Sequence, residues 1–142
     1  MTLMPQPHHD IAPADVAAIE EHLYEYNRAV TGHHDGRGLC FVLRDDEGRI
    51  VGAAAGYSWA GIAELRQMWV DEAYRGRGCG RALLDAFVDE ATTRGVKRVW
   101  VASFDFQAPP FYEKAGFRRV TELPGFPDGH TSVILCRPLP AG

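Results

Sequence analysis

Gly76, Gly78 and Gly80 stand at alternate positions between Val70 and Arg81, interleaved with Arg75, Arg77 and Arg81. That pattern suits an anion. Glycine lets the backbone approach a ligand closely and adopt positive φ. Successive amides in such a turn, opening into a helix N-terminus, form a nest for negative charge. The guanidinium forks add donors matched to phosphate oxygens. The chemistry to expect is the cradling of a diphosphate, against the blander alternative of a glycine-rich turn with solvated arginines. Two familiar glycine patterns are excluded. No Gly-Lys pair occurs, so G-x-x-x-x-G-K-[ST] is absent, and glycines spaced by two do not make G-x-G-x-x-G. Cys79 lies inside the cradle near the start of a helix, where a thiolate is favoured. With no histidine beside it, it reads as a small residue filling a tight turn.

The elements around the cradle must hold it still. An apolar run, Ile62 to Val70, enters it as a strand. A helix leaves it, with Leu83, Leu84, Phe87, Val88 and Ala91 as its buried stripe and Gly95 past its end. Val96 to Ala102 is the next strand, so the unit is a right-handed parallel β-α-β crossover. Upstream, Pro13 opens a helix that carries Val16, Ile19, Leu23, Tyr26 and Val30 on one face and stops at Thr31-Gly32. Residues 33–38 read as a polar loop. Leu39 to Leu43 and Ile50 to Tyr57 form a hairpin about Asp45-Asp46-Glu47-Gly48, and the small run Gly52 to Gly56 implies close packing against a neighbour. Downstream come a short helix, Ala108 to Ala115, a strand, Phe117 to Leu123, a loop, Pro124 to Gly129, and a last strand, His130 to Cys136. These elements predict an α/β protein of the α+β type. It has a mixed central sheet with helices on both faces, in one domain over 1–142 with a loose tail at 1–12.

Composition narrows the function classes. The chain has 142 residues, 46% of them hydrophobic, and a net charge of −4. The arginines are clustered rather than spread, which argues against nucleic acid as a partner. No apolar run has the length of a membrane span, and the N-terminus lacks the regions of a signal peptide. Cys40, Cys79 and Cys136 are odd in number and widely spaced, as for reduced thiols in a cytoplasmic protein. His8-His9 and His33-His34 have no third ligand at recognisable spacing, so no metal is expected.

Two motifs carry a resemblance. Arg75-x-x-Gly78-x-Gly80 is similar to the acetyl-CoA signature, Gln/Arg-x-x-Gly-x-Gly/Ala, of the GNAT family of N-acetyltransferases. Ala108-Pro109-Pro110-Phe111-Tyr112-Glu113-Lys114-Ala115-Gly116-Phe117 is similar to that family's Ala-x-x-x-Tyr-Glu-Lys-x-Gly-Phe segment. The resemblance extends over roughly 13–137, with the motifs in the family's order. It implies the GNAT fold, in which two parallel strands splay apart to admit the pantetheine arm of acetyl-CoA. Here those strands are Ile62–Val70 and Val96–Ala102. It also implies that amides near Met68, Trp69 and Val70 hold the arm, while Arg75, Gly76, Arg77, Gly78, Cys79, Gly80 and Arg81 hold the diphosphate. One position departs from the pattern. Asp105 stands where the family often has an Asn that contacts the arm. An ionised Asp accepts but does not donate, and Gln107 is the alternative contact.

The reaction implied is direct attack of an amine on the thioester, with an amide of the third strand polarising the carbonyl. Tyr112 resembles the family's general acid, which protonates the departing thiolate; its alternative is a core tyrosine. Glu64 matches the place of a base or water-holding Glu and shares a strand face with Arg66 and Met68; its alternative is a salt-bridged strand residue. His130, at the mouth of the last strand, is of a residue type suited to proton removal near neutrality, against the alternative of an exposed loop residue. Trp59, Trp69 and the loops 31–38, 57–61 and 124–130 are candidates to line the acceptor pocket. The expected function is N-acetyl transfer from acetyl-CoA to a small amine, by a cytoplasmic enzyme that forms a homodimer. A non-catalytic acyl-CoA-binding module and a protein or peptide N-acetyltransferase are the alternatives.

Overall fold

A computed structural model gives the fold, described for residues 2–140. The chain divides into two compact units, Met1–His34 and Asp35–Gly142. The first holds helix α1, Pro13–Thr31, at the spacing its apolar residues predict. Proline occupies its first turn, where the missing N–H costs nothing. Gly32 ends it in the left-handed region at φ 74°, its N–H bonded to the Arg28 carbonyl at 2.8 Å.

The second unit holds the sheet. Its elements are β1 (Arg37–Arg44), β2 (Ile50–Trp59), β3 (Ile62–Val70), α2 (Cys79–Thr93), β4 (Arg98–Phe104), α3 (Pro109–Lys114), β5 (Arg118–Pro124) and β6 (Thr131–Pro138). The strands lie in the order β1-β2-β3-β4-β6-β5. β3 and β4 run parallel, and every other neighbouring pair is antiparallel. The mixed sheet and the β-α-β crossover are as the sequence predicts. β1 starts two residues earlier than expected, inside the polar segment, and β2 runs on to Trp59. The reason is the turn between β2 and β3. Only Ala60 and Gly61 make it, both at positive φ (53° and 84°), so Trp59 pairs with Ile62 and the ladder extends to Arg37 opposite Ser58.

The core joins both helices of this unit to the sheet. Leu83, Leu84, Phe87, Val88 and Ala91 of α2 pack with Leu39, Ala54, Leu65, Val99, Val101, Val133 and Leu135, and the same cluster contains Tyr112, Ala115 and Phe117. Phe87 is fully buried; its truncation to alanine would cost about 3–5 kcal/mol. The small run in β2 serves a β-bulge. Gly56 pairs with Leu65 and Ala55 with Gln67, leaving Arg66 as the extra residue. A Cβ on Gly56 would collide with the Glu64 carbonyl, so glycine is required there.

Candidate active site

Beside the bulge the two parallel strands part. Their register is Ile62↔Arg98, Ala63↔Val99, Glu64↔Trp100 and Leu65↔Val101, and it stops there. β3 continues to Val70 and β4 to Phe104 without pairing to each other. The edge of β3 that faces this opening therefore offers backbone donors and acceptors to a ligand. Alternation says which. The Asp71 N–H donates to the Val51 carbonyl of β2 at 2.8 Å. Residues two apart point the same way, so the Trp69 N–H also faces β2. Met68 and Val70 present their amides to the opening. Of the three amides expected to hold an arm, that of Trp69 is turned to β2; its side chain is 46% exposed.

At the end of β3 the chain forms the cradle. The Asp71 carboxylate accepts the Ala73 N–H at 2.9 Å and caps a 3₁₀ turn, Glu72–Tyr74. Arg75 follows, its Nε donating to the Val70 carbonyl at 2.9 Å, which pins the guanidinium at the mouth of the opening. Arg77 lies over the Tyr74 ring, 5.4 Å from its centroid. Gly76 and Gly78 have φ of 75° and 79°, and a Cβ built on either meets no atom within 4 Å. That space is open for a ligand. Helix α2 then starts at Cys79 with no side chain capping it and no acidic residue in its first turn. Its first amides are unclaimed donors at the positive end of the helix dipole. Arg81 is partly spent on Asp85, four residues on, at 2.9 Å. A Cβ on Gly80 would meet the Phe111 ring at an ordinary contact distance of 3.7 Å. The residues fit a diphosphate.

Phe111 ties the cradle to α3, where Tyr112 is buried. The Tyr112 ring meets Phe111 and Phe117 edge-on, with centroids 5.2 and 5.6 Å away. Burial pushes its hydroxyl up to about 12, because the phenolate would be poorly solvated. The group holds its proton throughout the neutral range. The α3 N-terminus is fixed by the Ser103 hydroxyl, which accepts the Ala108 N–H at 3.2 Å.

Glu64 stands one step before the last paired residues, Leu65 and Val101, beyond which the strands part. Its carboxylate is mostly buried, 17% exposed, and accepts from Arg66 Nε at 3.0 Å. Arg66 lies over the Tyr57 ring at 4.5 Å. Asp105 and Gln107 are both engaged within the chain. Gln107 Oε1 accepts the Phe104 N–H at 2.9 Å. Asp105 accepts the Thr131 N–H at 3.1 Å through Oδ2 and meets His130 Nδ1 at 2.9 Å through Oδ1. The Asp105–His130 pair spans 25 residues, and sequence spacing alone gave no sign of it. Aromatic rings surround it. Phe106 meets His130 edge-on at 4.8 Å and stacks on Phe104 at 5.4 Å, and Phe126 lies 5.5 Å from Phe104.

The family model of the acetyltransferase (GNAT) family matches residues 5–117. The chain belongs to the GNAT family of acetyltransferases. It is 31% identical to an acetyltransferase of Agrobacterium fabrum, over 80% of this chain and 84% of that one. It is 32% identical to the blasticidin-S acetyltransferase of Streptomyces morookaense, over 66% of this chain and 70% of that one. A crystal structure of an acetyltransferase from Bacillus cereus superposes with a TM-score of 0.78 at 26% identity, covering 94% of this chain and 98% of that one. This GNAT protein is thus an acetyltransferase, and its mixed sheet with parting β3 and β4 is the GNAT fold. Among the described residues no helix is long and apolar enough to cross a membrane, and no three His, Cys, Asp or Glu side chains are grouped to hold a metal.

Proposed function

We propose that this GNAT protein transfers the acetyl group of acetyl-CoA to the primary amine of a small molecule. One observation carries the reading. The opening between β3 and β4 leads, at the end of β3, straight into an uncapped helix start beside two glycines with open flanks. An arm laid in the opening as an extra strand would use the Met68 and Val70 amides, and its diphosphate would reach Arg75, Gly76, Arg77, Gly78 and Cys79. Tyr112 is the general acid in this reading. Its raised hydroxyl keeps a proton for the departing thiolate. A neutral amine attacks the carbonyl carbon directly; the C–N bond forms, the C–S bond breaks, the sulfur takes the Tyr112 proton, and the proton lost by the amine nitrogen restores the phenol. Glu64 and His130 are the candidate bases. The Arg66 ion pair occupies Glu64, so Glu64 would act through a held water.

The small-molecule acceptor is supported by the similarity to blasticidin-S acetyltransferase, whose name is that of an enzyme acting on a small molecule. The test is free-thiol release from acetyl-CoA against a panel of small amines and peptides. Turnover on small amines is the expected result. Tight CoA binding without turnover on any acceptor would identify a binding module, and turnover confined to peptides would identify a protein-modifying enzyme. We further propose a homodimer, to be read by sedimentation.

A further inference from the structure

We infer that Asp105 is a positioning residue for His130, and that the pair accepts the proton of the incoming ammonium; this rests on the acetyl-transfer reading above. Asp105 follows β4 directly, at the end where the strands part, and His130 immediately precedes β6. The β4–β6 register sets Phe104 opposite Ser132, which brings the two side chains together. A carboxylate only accepts. At 2.9 Å from Oδ1, the His130 Nδ1 must therefore carry a hydrogen, and Nε2 is left with its lone pair. The Phe106 edge contact at 4.8 Å buttresses the ring. Phe106 and Phe126 are about half exposed beside the pair; exposed aromatic faces attract a cation, and an amine arrives as one.

The proton count closes. The ammonium gives one proton to His130 Nε2, and the neutral amine attacks. The thiolate takes the Tyr112 proton, the second amine proton returns to the Tyr112 phenolate, and imidazolium releases its proton to water.

The second oxygen of Asp105 makes the idea testable. Oδ2 accepts the Thr131 N–H at 3.1 Å, a fixed backbone donor. In Asp105→Asn the side chain has one acceptor for two donors. The Thr131 N–H claims it, and the amide NH₂ turns to His130. Nδ1 must then accept, and the ring hydrogen moves to Nε2, which can no longer take a proton.

The experiment has two arms, on wild type, Asp105→Asn, His130→Gln and the double variant. The first reads the His130 tautomer by ¹⁵N-edited NMR of the imidazole. The second reads kcat and KM for an amine found in the acceptor panel, with the CoA Kd by calorimetry. The expected results are Nδ1–H in wild type, Nε2–H in Asp105→Asn, and a loss of about 100-fold in kcat in both variants. CoA affinity is unchanged, and the double variant loses no more than either single one. A wild-type Nε2–H tautomer, or the same tautomer in Asp105→Asn, overturns the positioning role. A tautomer switch without loss of kcat overturns the base. A weakened CoA Kd in Asp105→Asn with kcat kept returns Asp105 to the pantetheine contact. Wild type that acetylates no amine overturns the acetyl-transfer reading and the base with it, while the NMR arm still decides whether Asp105 holds His130.

Discussion

β3 and β4 leave the sheet side by side, and their ends carry different kinds of chemistry. β3 runs into a cradle made of consecutive residues, Asp71 to Arg81, in which backbone amides and glycine conformations do most of the work. β4 runs into a cluster of side chains, Asp105, Phe104, Phe106, Phe126 and His130, drawn from two segments that meet only because β6 lies beside β4. A cradle of the first kind suits the diphosphate that every CoA thioester shares. A cluster of the second kind can change one side chain at a time without disturbing the backbone. On the function proposed above, the contrast would separate a cofactor end from an acceptor end within one opening.

The largest way to break this picture is at the bulge both ends depend on. Gly56→Ala drives a Cβ into the Glu64 carbonyl. It should cost more than about 3 kcal/mol, read as a fall in the denaturant midpoint, with both CoA binding and turnover lost together. Gly56→Ala with an unchanged midpoint would mean that the strands part for another reason.

Next comes Tyr112→Phe, which should lower kcat by about 100-fold and leave CoA affinity intact. Its second signature is alkaline stability. Burial holds the hydroxyl at about 12, against the ordinary 10.0 of a solvated tyrosine. Between those values the unfolded chain has lost the proton and the folded one keeps it, so stability is fully present below about pH 10 and falls as pH rises towards 12. The loss is on the order of 2–3 kcal/mol. Denaturant melts across that window should show it in wild type, and Tyr112→Phe should remove it. Identical alkaline slopes in the two proteins would contradict the buried, protonated phenol.

The smallest effect belongs to the arginines. Arg75→Ala and Arg77→Ala should each weaken CoA about tenfold at low salt, and the loss should shrink as salt rises, because these side chains are exposed and screened. A loss independent of salt would assign them a steric role.

The same contrast explains what could be read from the sequence. The cradle and the Tyr112 segment are contiguous motifs, so their residues announced themselves, and the β-α-β crossover followed from the order of apolar runs. Alternation within a strand could not say which of Met68, Trp69 and Val70 faces the opening. A shift of one residue reverses every direction, and only the Asp71–Val51 bond fixes it. Asp105 and Gln107 were expected at the pantetheine arm from their place in the motif. Within the chain, Gln107 closes its own turn on Phe104, and Asp105 is bonded across 25 residues to His130. That pairing depends on the β4–β6 register, which no local pattern encodes.

The central claim is that the glycines of the cradle let backbone amides reach the diphosphate, and Gly78 tests it most directly. At φ 79° with open space beside it, Gly78→Ala adds a methyl group to the ligand's side of the cradle. It also strains the backbone by about 1–2 kcal/mol, so the fold should survive with a modest loss of stability. Calorimetric titration of CoA into wild type and Gly78→Ala, at low and high ionic strength, is the measurement. The account predicts affinity weakened by more than about tenfold, equally at both salt concentrations, in a variant that still folds. Wild-type affinity in folded Gly78→Ala would contradict it.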